Sequence, residues 1–227
     1  MKFNVIIPAS GSGERFRTRI PKQFFKLNGK ELITYTIRKF NSINSVESIV
    51  IATKKEYFKR LHKIILDNKF QKVTDIVEGG ATRHYSVFNG LKVIIPTDDC
   101  YVIIHDAVRP FITNKKIKEM MEVAKDYKAV IPGLKINDTI KEVNKSNFVK
   151  RTVPRKYLWE IQTPQIFEYD ILRKSFEKAN REKFKGTDES SIVENAGYKV
   201  KIIEGEKTNI KVTTKDDLKQ FDINRFL

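Results

Sequence analysis

The residues best equipped for chemistry lie near the start of this 227-residue chain, where the apolar run Val5-Ile6-Ile7 breaks into Pro8-Ala9-Ser10-Gly11-Ser12-Gly13-Glu14-Arg15. Six residues on comes Pro21-Lys22-Gln23. Small residues at positions 9–13 let backbone N–H groups approach an anion closely, and Arg15 and Lys22 put positive charge where a polyphosphate would lie. That combination suits nucleotide chemistry. Gly11-Ser12-Gly13 also begins a dinucleotide-binding fingerprint, but Phe16 stands where a third small residue is required, and no Gly-Lys-Ser/Thr ending of a P-loop follows. The two glycines alone would equally suit a plain strand-to-helix loop; the two cations tip the reading toward a ligand.

Three further stretches carry usable side chains. The apolar run 101–104 delivers His105-Asp106-Ala107-Val108-Arg109-Pro110, and ligands of open α/β sheets bind at the carboxyl ends of such strands. Asp106 there suits a magnesium ion or the nucleotide carrying it, because a hard cation prefers carboxylate and phosphate oxygens; its plainer role is to cap the loop. Arg109, by its spacing, is better placed to fix Asp106 or the loop than to touch substrate. Gly79 and Gly80, ahead of a helical segment, let a base or sugar lie against the backbone, with Ser86 in hydrogen-bonding reach; a simple turn is the alternative. Lys211, between Ile210 and Val212, is expected to project from a short strand and bind phosphate as a point charge. Thr187-Asp188-Glu189 reads chiefly as a helix start. His62, His84 and His105 lack zinc-site spacing, and Cys100 has no catalytic partner.

Positioning these groups requires alternating elements. β-Branched apolar runs at 4–8, 48–52, 73–77, 101–105, 129–132 and 199–203 predict strands. Between most of them lie helical patterns at 31–40, 55–66, 84–94, 115–127, 169–179 and 216–226, with Asn114 and Asp188 near N-caps. Strands alternating with helices imply an α/β fold with a mostly parallel central sheet flanked by helices. Two β-like pieces, 135–143 and 148–153, joined by Asn144-Lys145-Ser146-Asn147, predict a projecting hairpin arm at about 134–153. A two-stranded arm is marginal alone, so a second copy of the chain is its expected support. One domain spanning 1–227 is expected.

Composition bounds the class. A chain of this length buries roughly 70% of its unfolded surface. No stretch approaches the ~20 apolar residues of a membrane span, the start lacks a signal-peptide pattern, and the single Cys forms no internal disulfide; a cytoplasmic protein is expected. The formal charge of +16, from 44 Lys and Arg against 28 Asp and Glu, raises nucleic-acid binding as a reading of another class. The basic residues are scattered and mixed with acids, which favours a solvated surface and a field that recruits phosphorylated substrates.

Taken in order, these motifs together with Thr152-Val153-Pro154-Arg155, Leu158-Trp159, Gln162-Thr163-Pro164-Gln165 and Asn209-Ile210-Lys211-Val212-Thr213 resemble the 2-C-methyl-D-erythritol 4-phosphate cytidylyltransferase family over nearly the whole chain. The resemblance implies a Rossmann-like nucleotidyltransferase fold and Mg²⁺-assisted transfer of a cytidylyl group from CTP to the methylerythritol phosphate, releasing pyrophosphate. It implies Arg15, Lys22 and Lys211 as catalytic cations. CTP would be held by Pro8, Ala9, Ser10, Gly11, Ser12 and Gly13, by Arg15 and Lys22, and by Gly79, Gly80, Ser86 and Asp106. The acceptor would be held by Asp106, Arg109, Thr139, Arg155 and Lys211, and the metal by Asp106. It further implies a homodimer whose arms complete each other's sites, with no nucleic-acid or membrane partner. Ribitol 5-phosphate cytidylyltransferases share the His-Asp-Ala-Val-Arg-Pro sequence, which makes ribitol 5-phosphate the alternative acceptor.

Overall fold

The computed structural model describes residues 1–11, 20–214 and 216–219. Arg15, Ser12 and Gly13 of the nucleotide loop lie outside them, as does the stretch 220–226 of the last expected helix.

Eight strands build one sheet: β1 (Lys2–Pro8), β4 (Val46–Thr53), β5 (Val73–Glu78), β6 (Cys100–Ile104), β7 (Ala129–Lys135), β10 (Trp159–Ile161), β11 (Gln165–Glu168) and β12 (Lys201–Glu204). Their order is β10-β7-β11-β6-β1-β4-β5, with β12 joined parallel to β7. β1 pairs parallel with β4 and with β6, and β4 with β5, so these four strands end at one edge. β1 is buried throughout its centre because residues on both of its faces meet helices, which is why it reads as a continuous apolar run rather than an alternating one.

Its alternate side chains divide the core in two. Val5 and Ile7 pack with α1 (Leu32–Asn41), α2 (Phe58–Asp67) and α4 (Asn114–Tyr127), through Ile37, Leu61 and Met120 among others. Ile6 faces the opposite layer, made of α3 (Arg83–Leu91), α5 (Tyr169–Glu182) and α6 (Glu189–Asn195), meeting Val87, Leu91 and Phe176. A small two-stranded sheet of β2 (Lys26–Leu27) and β3 (Lys30–Glu31) leads into α1. The chain's described end is the short helix α7 (Asp216–Lys219).

The mostly parallel sheet is as expected, and each expected strand and helix falls on an observed one, with three corrections. Residue 135 completes β7, so the arm proper is the hairpin β8 (Ile140–Val143) with β9 (Val149–Val153), turned through Asn147 at φ 63°. Thr113, not Asn114, caps α4 by accepting from the Lys116 N–H, while Asp188 caps α6 within a reciprocal capping box. Lys211 stands in no strand: residues 209–213 run outside the sheet, tied to the 105–110 loop by Val212 N–H donating to the Val108 carbonyl at 2.9 Å. Unforeseen was β11, which inserts antiparallel between β6 and β7.

Candidate active site

A cleft of about 740 Å³ opens where β1, β4, β5 and β6 end, lined by residues from the loop after each of them. Pro8, Ala9, Ser10, Gly11, Lys22, Gly79, Gly80, Ser86, Asp106 and Lys211 all line it, so ten of the expected site residues are brought together. Arg109 stands behind Asp106 rather than in the lining, and Thr139 and Arg155 sit exposed on and beside the arm, outside the lining of this cleft. The Arg155 guanidinium donates to the Asn137 carbonyl there.

The first wall is a backbone surface held open from below. Ser10 Oγ donates to the Ala52 carbonyl at 3.1 Å, and the Ala9 carbonyl accepts from Gln23 Nε2 at 2.5 Å and from Thr53 Oγ1 at 3.1 Å. Gln23 also reaches the Gly11 carbonyl at 3.3 Å, so the residue after Lys22 braces the loop that Lys22 faces. The paired glycines form the second wall. A Cβ on Gly79 would stand 1.6 Å from Ser10 Oγ, and one on Gly80 would stand 2.2 Å from the Tyr85 Cβ. No side chain larger than hydrogen fits between the two loops. Ser86, on the first turn of α3, accepts from the Gly80 N–H at 3.1 Å and donates to the Thr82 carbonyl at 3.0 Å, and Thr82 caps the helix by accepting from Tyr85 N–H. The cleft therefore holds a helix N-terminus and a cradle of main chain, both favourable to an anionic ligand.

Charge is concentrated at Asp106, which is 6% exposed. Its Oδ1 meets Arg83 Nε at 3.0 Å, its Oδ2 meets Lys211 Nζ at 2.8 Å, and Arg109 Nε lies 3.7 Å away. Burial alone would push this carboxyl up, but Arg83, then Lys211 and Arg109, hold it well below the usual carboxylate range. Burial likewise works against the charged Arg83, and the Glu189 and Asp106 carboxylates more than offset it, raising its pKa. Arg109 is lowered, chiefly by burial.

The loop bearing Asp106 is fixed by a chain of hydrogen bonds. The Asp106 N–H donates to Thr163 Oγ1 at 3.0 Å, Thr163 Oγ1 and His105 Nδ1 are 3.0 Å apart, and His105 Nε2 lies 3.0 Å from the Arg109 carbonyl. If Thr163 donates to Nδ1, the ε-protonated neutral imidazole satisfies every partner. Complete burial pushes His105 down to about 4, so it stays neutral. Arg109 Nη1 donates to the Asn209 carbonyl at 2.7 Å and Asn209 Nδ2 to the Thr163 carbonyl at 2.7 Å, which brings Lys211 to its carboxylate.

Local sequence gives no site role to Arg83, Glu189, Gln23, Lys54 or Thr213, although Gln23, Glu189 and Thr213 stand within the motifs that carry the family resemblance. Lys54 and Thr213 line the cleft, and Arg83 both lines it and binds Asp106. The only local signal for Arg83 was its place in the first turn of a helix following two glycines. For Glu189 the helix-start motif gave no hint of this pairing, since its partner lies 106 residues away.

Among the described residues no group of three His, Cys, Asp or Glu side chains could hold a metal, and Asp106 is the one acid lining the cleft. A single ionised carboxylate beside an anion cradle fits a magnesium ion brought by nucleotide phosphates, not one caged by protein alone.

A mostly parallel α/β sheet with an anion-binding cleft at its strand ends is the architecture of a nucleotide- or phosphate-binding α/β protein. Crystallography of a Francisella tularensis 2-C-methyl-D-erythritol 4-phosphate cytidylyltransferase supplies a close structural likeness, with TM-score 0.83, 35% identity and 100% of each chain covered. The sequence profile of the 2-C-methyl-D-erythritol 4-phosphate cytidylyltransferase (IspD) family matches residues 3–223. Relatives bearing that name include those of Caldanaerobacter subterraneus, 39% identical over 96% of each chain, and Clostridioides difficile, 41% identical over 95% of this chain and 90% of its own. This chain belongs to the 2-C-methyl-D-erythritol 4-phosphate cytidylyltransferase family.

Proposed function

We propose that this protein transfers a cytidylyl group from CTP to the phosphate of 2-C-methyl-D-erythritol 4-phosphate, giving 4-diphosphocytidyl-2-C-methyl-D-erythritol and pyrophosphate for isoprenoid biosynthesis. The observation that carries the reading is the meeting, in one cleft of a chain of this family, of the Pro8–Gly11 loop, the Gly79-Gly80 cradle with Ser86, and the Asp106–Lys211 pair.

Cytosine and ribose lie against the small-residue walls, where Ser86 and the backbone supply polar contacts. The triphosphate runs toward Lys22, with Arg15 assigned to it by the family resemblance. An acceptor phosphate oxygen attacks the α-phosphorus in line, and pyrophosphate leaves. Both reactants are anions, so the protein's work is to hold them together and to neutralise charge gathering on the α-phosphate and the leaving group. Lys22 and Lys211 are the cations of the cleft suited to that work; Lys211, 39% exposed at its side chain, is free to exchange the Asp106 carboxylate for a substrate phosphate. Magnesium would be held by Asp106 and would supply charge neutralisation on the triphosphate.

The arm is assigned to a second copy of the chain. Val143, Phe148 and Val149 are exposed on the hairpin, and Tyr157 is exposed just beyond it, although all four are apolar or aromatic. Thr139 and Arg155 lie beside them, remote from their own chain's cleft, and would hold the acceptor phosphate in the partner's. The protein is assigned to the cytoplasm: Cys100 is a buried free thiol, the substrates are phosphorylated metabolites, and no described helix is long and apolar enough to cross a membrane.

The test is pyrophosphate release from CTP and Mg²⁺, run in parallel with methylerythritol 4-phosphate and ribitol 5-phosphate. Preference for the first is expected. Preference for ribitol phosphate would move the acceptor and keep the CTP cleft, and silence with both would overturn the assignment.

A further inference from the structure

Glu189 is a carboxylate buried to 1% exposure, on the first turn of α6, with no place in the cleft lining. Both of its oxygens accept from Arg83 Nη1 at 2.5 Å. Arg83 turns its Nε the other way, onto Asp106 Oδ1 at 3.0 Å. The guanidinium is planar and presents its donors in a rigid fork, so fixing Nη1 on Glu189 fixes the direction in which Nε points. Asp106 has two oxygens with unlike duties. Oδ1 faces Arg83, and Oδ2 faces the half-exposed Lys211 at 2.8 Å, with the buried Arg109 Nε farther off at 3.7 Å. Glu189 itself is anchored: Asp188 beside it caps α6, accepts from Gln165 Nε2 at 2.7 Å, and Ser190 N–H donates to Gln165 Oε1 at 3.1 Å. Gln165 opens β11, which pairs directly with β6 and thus with the strand that carries Asp106.

We propose that Glu189 is a positioning residue of the reaction: through Arg83 it holds Asp106 by Oδ1, leaving Oδ2 as the exchangeable oxygen that passes from Lys211 to the substrates or their metal. This deepens the cytidylyl-transfer reading and rests on it for its kinetic consequences. A buried acid paired only for stability would be poorly chosen, because buried ion pairs contribute little net stability over apolar residues of like volume. Its two-way connection to a cleft carboxylate gives the charge a use. Among the described residues, the charged groups facing this chain are Glu189, Arg83, Asp106, Arg109 and Lys211.

The test uses the whole protein with Glu189→Gln, and with Arg83→Gln/Glu189→Gln, which leaves no unpaired buried charge if the single variant fails to fold. Turnover at saturating substrates is expected to fall roughly 10- to 100-fold, the range for a reacting group misplaced by about 1 Å. In the single Glu189→Gln variant, CTP affinity measured by calorimetry is expected to stay within about threefold, since Glu189 does not line the cleft. On an Asp106→Asn background, Glu189→Gln should cost no further turnover, because it acts only through that carboxylate. An additive loss there would mark Glu189 as merely structural and overturn the proposal. A readout independent of activity is the carboxyl-carbon NMR resonance of Asp106 in ¹³C-aspartate-labelled protein, identified by its loss in Asp106→Asn. It should move in the folded Glu189 variants and stay in place in Glu142→Gln on the arm. An unmoved resonance would overturn the positioning role. A moved resonance in a protein inactive toward both acceptors would leave that role standing and overturn the proposed reaction instead.

Discussion

Replacing Gly79 with Ala tests the claim that the nucleotide cleft is walled by main chain. The added Cβ would sit 1.6 Å from Ser10 Oγ, 2.6 Å from Ser10 Cβ and 3.2 Å from Ser86 Oγ. Rotating the Ser10 hydroxyl away removes the first clash and forfeits its bond to Ala52 at 3.1 Å and its contact with Ser86 at 3.4 Å, about 1 kcal/mol each. The Cβ–Cβ contact survives any rotation, so the two loops must separate, at a cost of about 1–3 kcal/mol for overpacking. The sum, about 3–5 kcal/mol, falls on the folded state, and the separated loops also hold the nucleotide less well. A fall in Tm of roughly 6–20 °C follows for a chain of this size, and KM for CTP should rise at least about tenfold, the equivalent of about 1.4 kcal/mol. Calorimetric unfolding and pyrophosphate release measure the two parts. Ser10→Gly removes both of the closest atoms, so on that background Gly79→Ala should cost less than about 1 kcal/mol. Wild-type Tm and KM in Gly79→Ala, or full additivity with Ser10→Gly, would refute the reasoning.

Lys22→Ala should lower turnover by two or more orders of magnitude with little change in Tm, as expected for a lost transition-state charge partner worth about 3 kcal/mol or more; near-normal turnover would remove Lys22 from that role. Arg155→Ala should raise KM for the acceptor more than KM for CTP, and an unchanged acceptor KM would remove it from the site. Mixed Lys22→Ala and Arg155→Ala subunits should recover activity in hybrid dimers, and no recovery after demonstrated subunit exchange would speak against shared sites. His105 gives a pH dependence. Its folded pKa of about 4 lies below its ordinary 6.5, so below pH 6.5 the unfolded chain takes up a proton that the folded chain refuses, and stability falls until pH passes about 4. Between pH 7.5 and 5 the loss should be about 2 kcal/mol, read from urea midpoints. A flat profile over that window would contradict a buried neutral imidazole.

Much of this protein was legible in local pattern. Val5-Ile6-Ile7 and Tyr101–Ile104 are apolar on both faces, as suits strands covered by helices on both sides, and the alternation of such runs with helical patterns made the mostly parallel sheet legible. Gly79 and Gly80 were readable as positions where the chain needs close approach, and the clash distances show that Ser10 and Tyr85 occupy the space a side chain would need. The placement of Asp106 followed from the strand before it.

Local pattern thus carried the elements with short-range periodicity and the loops that small residues and charges mark at their ends. Tertiary structure alone decided which of those loops meet and which charges pair. β11 could not be foreseen as an antiparallel insert because Gln165–Glu168 has too few residues for a period, and its direction is set by β6 and β7 on either side. Arg83 could not be assigned from its neighbours, since its partners lie 23 and 106 residues away. Local periodicity records which face of an element is buried; the partner of a buried charge depends on how distant segments close around it, and no spacing along the chain encodes that distance.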